Sequence, residues 1–177
     1  IATMAIAATL TLGGIEALGN TQGSLMFLPL ALTSAGLICA MLGIFIVKLF
    51  SSREPAKALR MGTMGAALIF IGAAFLVTQL LGVVWNVWLA VIVGSAGGII
   101  IGLSTEYYTG GKPMRDIAKS SDTAVATVMI SGLAVGMQSV VIPLFTVALV
   151  IFCASSLAGL YGVGIAAVGM LATIGIT

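Results

Sequence analysis

Histidine is absent from this sequence, cysteine occurs twice, and charge is scarce, with seven Lys and Arg against five Asp and Glu in 177 residues. The first two shortages exclude a Cys/His metal centre and any Ser/His or Cys/His nucleophile pair, because neither the ligands nor the general base are present. Cys39 and Cys153 each lie inside an apolar run, where a buried free thiol is expected rather than a disulfide. The shortage of charge excludes more. A soluble domain carries about 25% charged residues, whereas this chain has 7% and could not cover a water-facing surface. The acids are also scattered, so no carboxylate cluster suited to Mg²⁺ is visible, and no catalytic, cofactor-binding or metal-ligating residue is assigned. No initiator Met or basic leader precedes the first apolar run, and the chain stops at Thr177 inside another. An internal piece of a longer polypeptide is expected.

What the chain has instead is hydrophobicity: 60% of residues are apolar and the mean hydropathy is +1.26. At ~20 residues per membrane crossing, this predicts an all-α, polytopic transmembrane helix bundle of about six full or partial spans, a single domain over 1–177. The spans fall at about 1–18, 25–47, 61–81, 83–103, 124–154 and 161–177, with Pro29 in the first turns of the second, where a missing N–H costs least. Trp85, Asn86 and Trp88 mark the joint between the third and fourth spans, and both tryptophans there fit an interfacial belt. Segment 124–154, at 1.5 Å per residue, would reach roughly 46 Å as a straight helix against a ~30 Å hydrocarbon core. A kink at Pro143 is the expected accommodation. A tight turn is read at 155–160.

All the Lys and Arg lie in two polar segments, 48–60 and 104–123, read as loops. Two spans separate them, so both loops face one side, and the positive-inside rule makes that side cytoplasmic. Because every basic residue adjoins a span, the net charge of +2 gives no ground for a nucleic-acid partner. Candidate functional residues are few. Glu16 and Glu106 are ionisable groups near span ends, where solvated interface residues compete with a gate or ion contact. Lys112, Arg115 and Lys119 have the charge to hold an anion but are spread beside Asp116 and Asp122, which fits an orienting loop. Gly94, Gly98 and Gly102 repeat every four residues on one helix face, and Gly132 and Gly136 do the same later. Close helix packing is expected of them, because a phosphate cradle needs a helix N-terminus and a nearby Lys.

Three blocks carry a family resemblance. Thr105-Glu106-Tyr107-Tyr108-Thr109 followed by Lys112-Pro113-Met114-Arg115-Asp116-Ile117-Ala118 is similar to the membrane-integral, ion-pumping pyrophosphatases. So are the stretches 130–140 and 157–176, in the family's order and at about its spacing, and the resemblance extends over nearly the whole chain. Val128 departs from the family's Ala-Thr-Asn pattern.

The resemblance implies a subunit of about sixteen transmembrane helices in a homodimer, with the active site at the cytoplasmic end of an inner ring. It implies hydrolysis of pyrophosphate to two phosphates coupled to outward movement of H⁺, Na⁺ or both. Mg²⁺ would bridge pyrophosphate to aspartates, with K⁺ as a further activating ion; such chemistry needs charge neutralisation and an activated water. The aspartate motifs would lie outside this chain, so no catalytic residue is carried over. Segments 1–18 and 161–177 would belong to the inner ring, the four between to the outer, and 124–154 would include a dimer contact. A bacterial inner membrane is the implied location, with a vacuolar-type membrane as the alternative. The competing readings are the core of a secondary transporter or permease and a non-catalytic subunit of a membrane complex.

Overall fold

The computed structural model describes residues 1–9, 22–50, 55–120 and 125–174, so Glu16, Arg53, Glu54 and Asp122 lie outside the described residues. The described residues form α-helices and connections only: α1 (Ala2–Thr9), α2 (Gln22–Phe50), α3 (Pro55–Leu80), α4 (Trp85–Gly110), α5 (Lys112–Ser120), α6 (Val125–Ser139) and α7 (Val141–Ile174). Their composition explains this. Away from water a chain must satisfy its own backbone N–H and C=O groups, and an apolar helix does so within one segment. Four helical stretches among the described residues are long and apolar enough to cross a membrane: Gly23–Phe45, Gly62–Leu80, Trp85–Lys119 and Val125–Thr173. The described part of the first apolar segment, α1, is only 8 residues long and too short to cross by itself.

Two packed units are present, one made of Ile1–Ile99 with Val150–Thr177 and one of Ile100–Leu149. In the first unit α2 packs along α3 and against α1. α3 ends in a Schellman cap, with the Gly82 N–H on the Gln79 carbonyl (3.1 Å) and the Val83 N–H on that of Thr78 (3.0 Å). Gly82 supplies the left-handed residue this cap requires, at φ 65°. Across the turn Phe75 of α3 meets Trp85 and Trp88 edge-on, and the two indoles lie tilted against each other with centroids 4.5 Å apart.

α7 is two helices in direct succession. Ala158 (φ −143°, ψ 26°) and Gly159 (φ 59°, ψ −148°) leave helical geometry, inside the stretch read as a turn. The break reverses the chain, because Gly162 lies directly against the Ala154 carbonyl. In an unbroken helix residues eight apart are roughly 12 Å apart along the axis. The arm 160–174 is the centre of its unit: Tyr161, Gly162, Ile165, Ala166, Val168 and Gly169 are buried.

The second unit holds the end of α4, α5, α6 and the start of α7. Here the expected loop 104–123 is mostly helical. α4 continues to Gly110, and after a bend at Gly111 the chain forms α5. The hydroxyls of Thr105 and Thr109 donate to the carbonyls four residues back, Ile101 and Thr105, at 2.8 and 2.7 Å, so these polar side chains are satisfied on the helix itself. The expected loop 48–60 is helical at both ends: α2 runs to Phe50, and α3 begins at Pro55, the first helical position, where Pro loses no bond. The long segment 124–154 is interrupted at Val140, between α6 and α7. Pro143 has no N–H for the Ser139 carbonyl, and Ser139 is where α6 stops.

Candidate functional site

The sequence offers two places for function, the glycine-lined helix contact and the charged end of α4 with α5. At the first, Gly94 and Gly98 pack against the arm 160–174. A Cβ on Gly94 would strike the Ala166 carbonyl, and one on Gly98 would strike the Thr173 hydroxyl. The fit is reciprocal, since a Cβ on Gly169 would stand 2.8 Å from the Val91 carbonyl. Small residues thus let the two backbones touch. Gly102, Gly132 and Gly136 meet nothing within 4 Å, so packing explains only the first two glycines of the α4 repeat. Their partner is the arm 160–174.

Polar groups in this seam are turned inward onto backbone. Thr3 Oγ1 donates to the Gly164 carbonyl (3.2 Å), joining the first and last apolar segments. Tyr161 Oη donates to the Leu25 carbonyl (2.7 Å). Ser95 and Thr173 donate to carbonyls three residues back, those of Ile92 and Met170, and Thr78 to those of Ala74 and Phe75. Each hydroxyl has a protein acceptor, so the seam is built as a structural joint. Two buried polar atoms among the described residues have no hydrogen-bond partner, Trp88 Nε1 and Ser104 Oγ.

Tyr161 is the residue that sequence reasoning missed. Its signal was Pro29, which has no N–H to give the carbonyl four residues earlier, that of Leu25. The expected placement of Pro29 in the first turns concealed this. α2 starts at Gln22, so Pro29 lies inside the helix, and the freed carbonyl is in the fully buried core.

At the second place, Glu106 is exposed near the end of α4, and Lys112, Arg115, Asp116 and Lys119 are exposed on α5. No group of three or more His, Cys, Asp or Glu close enough to hold a metal occurs among the described residues. The described residues therefore do not make a Mg²⁺ site. Cys39 and Cys153 are free thiols, the first buried and the second partly so.

A family model described as "Inorganic H+ pyrophosphatase" matches residues 1–177. Among similar proteins, one from Bacteroides thetaiotaomicron is 36% identical, over 97% of this chain and 26% of its own length. The "K(+)-stimulated pyrophosphate-energized sodium pump" of Thermotoga maritima is 36% identical, over 86% of this chain and 23% of its own length. The "K(+)-insensitive pyrophosphate-energized proton pump" of Methanosarcina mazei is 30% identical, over 89% of this chain and 25% of its own length. The chain thus spans about a quarter of the length of the curated relatives it matches. A family match running from the first residue to the last, on apolar helices of membrane-crossing length, makes this chain a member of the inorganic H⁺ pyrophosphatase family.

Proposed function

We propose that this chain is part of a membrane pyrophosphatase that couples hydrolysis of pyrophosphate to the pumping of H⁺, Na⁺ or both. The observation that carries the reading is the family match over all 177 residues, with relatives named as pyrophosphate-energized sodium and proton pumps. Mg²⁺, with K⁺ as activator in the stimulated class, is held by residues beyond those described. This chain's contribution is a framework: the arm 160–174, clasped by α1, α2 and α4, is a fixed post against which catalytic helices are set. The pump works as a homodimer, with segment 124–154 at the contact. Support for that comes from α6, whose Met129, Ile130, Leu133 and Met137 are about 70% exposed. Segments 48–60 and 104–123 face the cytoplasm, and the membrane is the bacterial inner membrane.

The test uses inverted membrane vesicles carrying the full-length protein. Mg²⁺-dependent hydrolysis of pyrophosphate should be accompanied by inward movement of protons or ²²Na⁺, and the ion that moves identifies the class. Hydrolysis with neither ion entering would reject the coupling.

A further inference from the structure

The geometry points to α5 as a docking site for the anionic headgroups of the surrounding bilayer. This helix, Lys112–Ser120, begins two residues after the last residue of α4, one of the helices of membrane-crossing length. At 100° per residue Lys112, Arg115 and Lys119 fall within about 60° of one another around its axis, and all three are exposed. Asp116 borders that arc, leaving three cations against one acid. Pro113, Met114 and Ile117 occupy the other side. Pro113 and Ile117 are half-buried, and Met114 is 53% exposed. A short helix with a basic face and an apolar face, tethered to the end of a spanning helix, has the form of a segment lying in the interface plane.

Charge complementarity selects the occupant. From Lys112 to Lys119 the cations extend over roughly 10 Å of helix, too far for them to converge on one free phosphate. A row of lipid phosphates matches such a stripe. Met114 favours the same occupant, since it gains by entering the acyl boundary and gains nothing from a soluble anion. Anionic lipid is concentrated in the cytoplasmic leaflet, which is where the proposed topology puts α5. That placement rests on the proposed orientation, whereas a nanodisc presents the same lipid on both faces and reads lipid preference whichever way α5 faces.

The full-length protein, with Cys39 and Cys153 and any other native cysteine replaced by Ala, carries a bimane label at Met114→Cys. It is reconstituted into nanodiscs of phosphatidylcholine with or without a minority of phosphatidylglycerol. Quenching by brominated acyl chains then reports which lipid stands beside position 114. The expected result is a preference for brominated phosphatidylglycerol that weakens with salt and falls about fivefold for each of K112Q, R115Q and K119Q. The charge-conserving set K112R, R115K and K119R should retain it, which separates lost charge from lost folding. Equal quenching by the two lipids would overturn the proposal. So would shielding from both lipids, which would mean that another protein segment covers α5. Loss of the preference on adding inorganic phosphate at matched ionic strength would overturn it too, by pointing to a soluble anion.

Discussion

The hydroxyl of Tyr161 donates a hydrogen bond of 2.7 Å to the carbonyl of Leu25, 136 residues away in sequence, and completes a helix that Pro29 leaves one bond short. Leu25 is 0% exposed and Tyr161 1%, so water offers the carbonyl no substitute. An unmet buried acceptor costs about 1–3 kcal/mol. Tyr161→Phe in the full-length protein should therefore lower unfolding stability by about that amount. Pro29→Ala restores an N–H for Leu25, so Tyr161→Phe should cost measurably less in that background. A double-mutant cycle by thermal unfolding in detergent reads the coupling. Equal costs in the two backgrounds would separate Pro29 from Tyr161.

The glycines of α4 divide by what stands opposite them. Gly94→Ala drives a methyl into the Ala166 carbonyl, a backbone atom that cannot turn aside, and should destabilise by about 1–3 kcal/mol. Gly102→Ala meets open space within its unit and should be neutral or stabilising by about 0.5–1 kcal/mol, the helix preference for Ala over Gly. Opposite signs in parallel unfolding measurements are the expected result, and equal losses would mean that the two glycines share one environment in the assembled protein.

At the chain reversal, Gly159 holds φ 59° and ψ −148°, a region almost confined to glycine. Nothing crowds its α-carbon, so backbone strain is isolated from packing. Gly159→Ala should cost about 1–3 kcal/mol, and Gly159→Val at least as much, because the penalty comes from φ and not from volume. Unfolding midpoints of the two variants measured side by side check this. A neutral Ala variant would show that the turn relaxes at no cost.

Much of this was legible in the sequence, and what was not has physical reasons. Hydropathy located the helices because burying apolar side chains and satisfying backbone polar groups are both local demands. The three sequence blocks identified the family, which the match over 1–177 bears out. Direction was harder to read. In a membrane protein the packed face and the lipid face are equally apolar, so a glycine repeat marks a close approach without naming the partner. Gly94 and Gly98 found Ala166 and Thr173, while Gly132 and Gly136 stand open. Polarity misled at 104–123, where Thr105 and Thr109 spend their hydroxyls on the helix backbone instead of on water. Pro29 was read for the bond it lacks and not for the carbonyl it frees.

The charge distribution sets the final prediction, on sidedness. Every Lys and Arg lies between Lys48 and Arg60 or between Lys112 and Lys119, with Lys57 and Arg60 in the first turns of α3 and the apolar lengths of α3 and α4 between the two groups. α3 and α4 are joined by the capped turn at Gly82, and if each crosses the membrane once, the two basic segments are expected on one face. Single cysteines at Glu54→Cys and Gly110→Cys, in an otherwise cysteine-free full-length protein, should both react with an impermeant maleimide in inverted vesicles. Neither should react in intact cells or right-side-out vesicles. A third cysteine at Leu80→Cys, exposed beside the turn, should show the reverse pattern. Labelling of 54 and 110 from opposite sides would break the two-crossing arrangement, whereas labelling of both from outside would keep the helices and invert their orientation.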